Sequence, residues 1–182
     1  MPIRVEAWVM LKQIGVLVAA CWMGGTAVLA QGSGTDGSQL GFYIGKWTVE
    51  GQSRSTPTGA YGRISGNETC AWFSGGPALV CRETLQDSAG ETDSIFILSF
   101  DSKKKQYTVH GTDNTGTMTM ATGTLADGVW RWQGESRSND GVVTPTRYTF
   151  REAPGGGRTM DVEVMNRNAW TKIVGVTYKR AR

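Results

Sequence analysis

Short segments in which apolar and polar residues alternate follow one another along most of the chain. In one of them, Trp47 and Val49 fall on one face, whereas Lys46, Thr48 and Glu50 fall on the other. Alternation with a period of two is typical of a strand with one buried face. Ten such segments are present, at residues 45–53, 60–73, 78–86, 93–100, 106–113, 117–125, 128–138, 144–152, 159–165 and 169–180.

Turn-forming residues separate the ten segments, for example Gly75-Gly76 and the glycines of 154–157. Many short strands joined by tight turns predict an antiparallel meander. A meander of this length closes into a barrel, because closure removes its exposed edges. Helical periodicity is limited to one short helix near residues 38–44. We therefore predict an all-β fold, a single up-and-down barrel of about ten strands with a short N-terminal helix.

The first thirty residues differ from the rest of the chain. Arg4 and Lys12 precede an apolar run at 14–29, which ends in Val-Leu-Ala before Gln31. A positive flank, an apolar core and a small residue at the cut are typical of a secretory signal peptide. We predict a signal peptide at 1–30, a flexible leader at 31–39, a barrel domain at 40–182, and a periplasmic or secreted location.

Two alternatives to a cleaved signal peptide stay open. The apolar run could remain as a membrane anchor, although Gly24 and Gly25 dilute it. It could instead be processed as a lipoprotein, with Cys21 carrying the lipid. After simple cleavage the protein would have no stable membrane span.

The charge balance argues against a nucleic-acid partner. Loss of Arg4, Lys12 and Glu6 with the signal peptide lowers the formal net charge from +3 to +2. A nucleic-acid-binding protein has a strong basic surplus or a basic stripe. The only basic run, at 103–105, lies between two predicted strands and is expected at a solvated hairpin tip.

Cys70 and Cys81 lie at equal distances from the Gly75-Gly76 turn, so a regular hairpin places them directly opposite each other. Opposed residues of an antiparallel pair come close enough for a disulfide, and exported proteins form disulfides. We predict a disulfide that staples this hairpin. The alternatives are two reduced thiols or a metal pair, which would lack the further ligands of a tetrahedral site.

The same register places Glu68 opposite Glu83 on the cysteine face and Arg82 on the other face. Like charges are tolerated side by side only in solvent. We therefore expect the cysteine face to lie outside and Arg82 to point into the barrel, where it could bind an anionic group. An Arg82 that reaches solvent at the barrel mouth is the alternative.

The apolar faces of the predicted strands are rich in aromatic residues and methionine. Such side chains either pack into a solid core or line an adaptable cavity, and a ring of ten strands is wide enough for a cavity. We predict a pocket for a small hydrophobic ligand, lined by Trp47, Arg82, Tyr107, Met118, Met120, Trp130, Trp132 and Tyr148.

The sequence contains no assembled catalytic or cofactor motif. His110 is the only histidine; it lies among threonines in a strand, where a surface position is expected. The chain has no Gly-x-Ser-x-Gly elbow, phosphate loop, dinucleotide fingerprint or zinc motif. We predict no catalytic residue, no metal and no cofactor, and we favour a non-catalytic protein.

A series of short motifs follows in order along the chain: Gly45-Lys46-Trp47, Gly75-Gly76 with Arg82, Phe100-Asp101 with Tyr107, Thr112-Asp113 with Gly116, Trp130 to Glu135, and Trp170 to Tyr178. In these motifs the chain resembles the bacterial DUF1579 family of lipocalin-like (calycin) proteins over about residues 40–180. The resemblance implies a barrel but no established activity. Related barrels of the nitrobindin type hold haem through a histidine near the C-terminal end, and residues 159–182 contain none.

Three functions are compatible with this sequence. The leading hypothesis is an exported, non-catalytic barrel that binds a small apolar or amphipathic ligand. The second is a structural or interaction protein of the periplasm whose barrel is filled by its own side chains. The third is an isomerase or cyclase that shapes a lipid-like substrate by confinement.

Overall fold

A computed structural model describes residues 36–74 and 76–182. The predicted signal peptide, the first part of the leader and the alternative lipidation site at Cys21 lie outside the described residues. A 3₁₀ helix at Gly37–Tyr43 comes first. The strands are β1 Gly45–Ser53, β2 Gly62–Trp72, β3 Leu79–Asp87, β4 Gly90–Asp101, β5 Gln106–Asp113, β6 Met118–Ala126, β7 Val129–Arg137, β8 Val143–Ala153, β9 Gly157–Asn166 and β10 Ala169–Arg180.

Every strand pairs antiparallel with its neighbours in the chain, and β1 pairs with β10, so the sheet closes into a ten-stranded barrel. The predicted up-and-down barrel is therefore confirmed. Each of the ten predicted segments is a strand with ends within a few residues of those expected, because glycine-rich and Asp-rich turns separate them. In the part of the chain described, no helix has the length and apolar character needed to cross a membrane.

The 3₁₀ helix covers one end of the barrel. In an up-and-down barrel the first residues of all odd-numbered strands lie at the same end, and the helix contacts three of these strands. The indole N–H of Trp47 on β1 donates to the Tyr43 carbonyl at 3.0 Å, and the hydroxyl of Tyr107 on β5 donates to the Asp36 carbonyl at 2.8 Å. The indole of Trp132 on β7 donates to the Tyr43 hydroxyl at 2.8 Å.

Aromatic rings fill this closed end of the barrel. Trp130 and Trp132 stack with ring centres 5.6 Å apart, and Tyr43 contacts Phe150 edge to face at 5.2 Å. Gly123 makes room for this packing, because a Cβ there would lie only 2.5 Å from the Trp132 ring. The closed end is thus a solid aromatic core, which restricts free space to the middle and the opposite end of the lumen.

The structure reverses the predicted orientation of the cysteine hairpin. The register is as predicted, with Cys70 opposite Cys81 and Glu68 opposite Glu83. All four side chains point into the barrel, however, and both glutamates are only 7% exposed. Arg82 is therefore exposed on the outer surface. The prediction failed because partners from distant strands, described below, make two buried carboxyls tolerable.

Met118 and Met120 also lie outside, with 54% and 50% of their surfaces exposed. The prediction that they face the lumen is wrong. Their strand neighbour Thr119 faces inward instead, and its hydroxyl lies 3.3 Å from that of Ser136 on β7. A hydroxyl suits this position because the strand is here close to the open end of the barrel.

Candidate functional site

The lumen contains a cavity of about 70 Å³ between the aromatic closed end and the open end. Its walls are mostly apolar, and its polar groups come from two glutamates, three tyrosines and one threonine. The lining side chains are those of Tyr43, Glu68, Cys81, Glu83, Phe96, Leu98, Val109, Thr119, Trp132, Tyr148, Phe150, Met160 and Tyr178.

Glu68 is neutralised by a buried arginine. Arg158, at the start of β9, is 1% exposed, and its Nη2 donates to a carboxylate oxygen of Glu68. Its Nη1 donates to the Tyr43 carbonyl at 3.0 Å. Burial lowers the pKa of Arg158 to about 10, so the guanidinium still carries its charge at neutral pH and the Glu68–Arg158 pair has no net charge.

Aromatic rings surround the Arg158 guanidinium. Its carbon lies 4.4 Å from the ring centres of both Trp47 and Tyr178. A cation over an aromatic face is attracted by the negative charge of that face, and the attraction strengthens away from water. These contacts help to explain how a charged group is stable in the core, even though its Nε has no hydrogen-bond partner among the described residues.

Glu83 is held differently, by a hydroxyl. The Tyr178 hydroxyl on β10 donates to Oε1 of Glu83 at 2.9 Å. Burial raises the pKa of Tyr178 well above its usual value, which keeps this hydroxyl protonated. Burial also raises the pKa of Glu83 to about 7, because the ionised carboxylate is poorly solvated there. Glu83 is therefore the luminal carboxyl that changes charge near neutral pH.

A disulfide between Cys70 and Cys81 lies directly beside these carboxyls and confirms the predicted pairing. Glu68 and Cys70 are two residues apart on β2, and Cys81 and Glu83 are two residues apart on β3. All four side chains therefore lie on the inner face of the sheet. The two sulfur atoms and a Glu68 oxygen lie within 4.8 Å of one another. Both thiols are used in the disulfide, so this cluster does not offer thiolate ligands to a metal.

Removal of the disulfide is expected to lower the free energy of unfolding by about 2 to 3 kcal/mol. The bond closes a loop across a sequence separation of 11 residues, and a short loop restricts the unfolded chain only moderately. Urea unfolding of the Cys70→Ala/Cys81→Ala double variant measures the loss. Wild-type protein unfolded with a reductant provides the matched control and should lose a similar amount. A double variant as stable as the oxidised wild type would contradict this expectation.

The open end of the barrel carries hydroxyl groups. The Tyr148 and Ser136 hydroxyls lie 3.3 Å apart, and the Thr146 hydroxyl donates to Ser136 at 3.4 Å. A mouth pocket of about 460 Å³ opens here, between Ser55 and Pro57 on one side and strands β7 to β10 on the other. Tyr148 lines both this mouth pocket and the inner cavity, which places its ring between them.

The predicted pocket residues divide into three groups. Trp132 and Tyr148 line the cavity. Arg82, Met118 and Met120 lie on the outside. The others, Trp47, Tyr107 and Trp130, are buried at the closed end and are not among the residues that line the cavity.

Four residues that dominate the polar part of the lumen were missed by the sequence reasoning: Glu68, Glu83, Arg158 and Tyr178. Glu68 and Glu83 were noticed as an opposed pair, but the charge rule placed them in solvent. Arg158 follows the glycines of 154–157 and resembles an ordinary turn residue. The available signal was its spacing along the strand. Arg158 lies two residues before Met160 and four before Val162, so the three side chains share one face, which is the inner one.

His110 is exposed on the outer surface of β5, on the opposite face of the sheet from the two glutamates. The cavity volume is also far below the roughly 300–1,000 Å³ of pockets that enclose drug-sized ligands. A porphyrin does not fit the inner cavity, and residues 159–182 have no histidine that could hold a haem in the manner of nitrobindin.

Comparison with known proteins supports the fold. No protein-family model matches the chain. No curated protein matches it. The solved structures include a similar barrel, in the crystal structure of Rv2717c from M. tuberculosis, with a TM-score of 0.59 and 15% sequence identity. The match covers 80% of this chain and 98% of that one. At this identity the chain is similar to Rv2717c in fold alone.

Proposed function

We propose that this protein is an exported, non-catalytic barrel that binds a small, mostly apolar ligand in its lumen. The observation that carries the proposal is the inner cavity, with apolar walls and buried polar groups at one place. Ligand sites of proteins combine these two features, since apolar walls supply affinity and a few polar groups supply orientation. The resemblance to DUF1579 is compatible with such a role.

Size limits what the inner cavity can hold. A cavity of about 150 Å³ accepts benzene, and the space here is about 70 Å³. The part of a ligand inside it therefore has only a few heavy atoms. A longer ligand would extend past Tyr148 into the mouth pocket.

Export is supported by two independent features. The sequence has the pattern of a signal peptide, and the barrel contains a disulfide, a bond that persists in oxidising compartments. A periplasmic or secreted location follows as part of the proposal.

The test is native mass spectrometry of protein purified from its own host, followed by denaturation. We expect wild-type protein to carry a small molecule that is released on unfolding. Val109 lines the cavity, and Val109→Phe would fill most of it and abolish this extra mass. Val143→Phe makes the same change on the exposed outer surface and should retain the ligand. A wild-type mass equal to that of the bare oxidised polypeptide would contradict the proposal.

A second candidate is an interaction protein with a filled barrel. The outer apolar face, defined here as Phe73, Ile97, Met118 and Met120, has four large side chains that are each at least 46% exposed. Exposed apolar surface of this kind is common at protein contacts. A bare wild-type mass together with concentration-dependent self-association would favour this candidate.

A further inference from the structure

The two luminal glutamates differ in the partners that the protein supplies. Glu68 is paired with the Arg158 guanidinium. Glu83 receives one hydrogen bond, from Tyr178 to Oε1. No group in residues 36–74 or 76–182 donates a hydrogen bond to its Oε2. Since Glu83 lines the cavity, this oxygen is an acceptor open to whatever occupies the cavity.

The charges around Glu83 determine which kind of ligand can use this acceptor. Glu68 on β2 and Arg158 on β9 cancel each other. Burial raises the pKa of Tyr178 on β10 and of Tyr43 on the helix, so their hydroxyls stay protonated, and Tyr148 on β8 is the third tyrosine that lines the cavity. Ionised Glu83 therefore leaves one unbalanced negative charge on a buried side chain in a mostly apolar cavity. A cationic ligand removes that imbalance, whereas an anionic ligand makes it worse.

The cavity walls also suit a cation. Trp132, Phe150 and Phe96 line the same space as Glu83. Aromatic rings attract ammonium groups, most strongly where water is excluded. The same rings also make favourable contacts with a short apolar chain. The cavity therefore favours a molecule that combines an ammonium group with a short apolar chain.

We propose that the inner cavity binds a small primary ammonium compound, with the Glu83 carboxylate as its counter-ion and hydrogen-bond acceptor. This inference rests on the proposed ligand-binding function and names the chemical class of the ligand. It also distinguishes the barrel from one that binds fatty-acid carboxylates, because the buried arginine that could serve an anion is already paired with Glu68.

The experiment compares three probes of equal chain length by ¹H–¹⁵N NMR titration: n-propylamine, 1-propanol and propionate. At pH 8 we expect propylammonium to bind roughly tenfold more tightly than 1-propanol, as charge-assisted hydrogen bonds are the stronger kind, and propionate to bind most weakly. Glu83→Gln should reduce the affinity for propylammonium to that for 1-propanol. Glu91→Gln, on the exposed surface of β4, is the matched control and should have no effect.

The pH dependence gives a second readout. Glu83 titrates near pH 7, whereas an alkyl ammonium keeps its proton at both pH 6 and pH 8, as lysine does. The ionised fraction of Glu83 is about tenfold lower at pH 6, so the affinity for propylammonium should fall by about tenfold. The Glu83→Gln variant should lose this dependence.

The outcomes separate the two proposals. Tighter or equal binding of 1-propanol or propionate would overturn the ammonium proposal and leave luminal ligand binding standing. Failure of propylammonium to bind wild-type protein would also overturn the ammonium proposal, whereas the native mass measurement decides the proposed function. An unchanged affinity of Glu83→Gln for propylammonium would show that Glu83 takes no part in binding.

Discussion

Replacement of Arg158 by methionine is expected to destabilise the barrel by about 3 to 5 kcal/mol, which is the loss expected when one partner of a buried ion pair is removed. The change leaves Glu68 in the core without its counter-charge and removes the hydrogen bond to the Tyr43 carbonyl. Methionine has a similar length and fills most of the space, so the loss measures the charge and not a large cavity. Urea unfolding at pH 8 provides the free energy.

A double variant tests the reason for this loss. Glu68→Gln combined with Arg158→Met removes both charges. Replacement of both members of a buried ion pair lowers the free energy of unfolding much less than removal of one member alone. We expect the double variant to recover at least half of the stability lost by Arg158→Met. Equal stability of the single and double variants would show that the unpaired charge of Glu68 is not the cause of the loss.

The stability of the wild-type protein is expected to fall by about 3 kcal/mol, relative to Glu83→Gln, as the pH rises from 4.5 to 7. In the unfolded chain Glu83 loses its proton around its usual pKa of 4.5, whereas in the barrel it does so near 7. The folded state therefore binds the extra proton in this window, and rising pH favours the unfolded state. Above pH 8 both states are ionised and the contribution stays constant.

Urea unfolding at several pH values measures this effect. Glutamine cannot ionise and resembles the protonated acid, so Glu83→Gln should be the more stable protein at pH 8 and similar to wild type at pH 4.5. Glu91→Gln should follow the wild-type curve throughout. Parallel curves for wild type and Glu83→Gln would contradict this expectation, because they would mean that Glu83 has the same pKa in the folded and unfolded states.

Much of the fold could be predicted from local patterns. Strand segments and turns are encoded by neighbouring residues, so the ten strands and the Cys70–Cys81 register followed from alternation and from the symmetry of one turn. The N-terminal helix was expected at nearly the observed place.

The side of the sheet that faces inward was harder to predict. For Glu68 and Glu83 it depends on Arg158 and Tyr178, which are 90 and 95 residues away from their partners along the chain. These contacts cross the lumen and exist only once the barrel has closed. The prediction used a rule about like charges on adjacent strands, and such a rule does not consider contacts across the lumen.

Hydrophobicity was also misleading near the open end. Met118 and Met120 were assigned to the lumen because they are apolar, but the hydroxyl of Thr119 contacts Ser136 there. Near the open end inward positions are close to solvent, so the usual division into apolar inside and polar outside weakens.

The measurement that tests luminal binding most directly is an NMR titration of the tryptophan indole N–H signals with propylammonium. The Trp132 indole forms part of the cavity wall and donates to the Tyr43 hydroxyl, whereas Trp72 borders a groove on the outer surface. Trp72→Phe assigns the outer signal. A ligand in the lumen should shift the Trp132 signal and leave that of Trp72 unchanged. A shift of Trp72 with Trp132 unmoved would place the ligand on the outer surface and contradict the account.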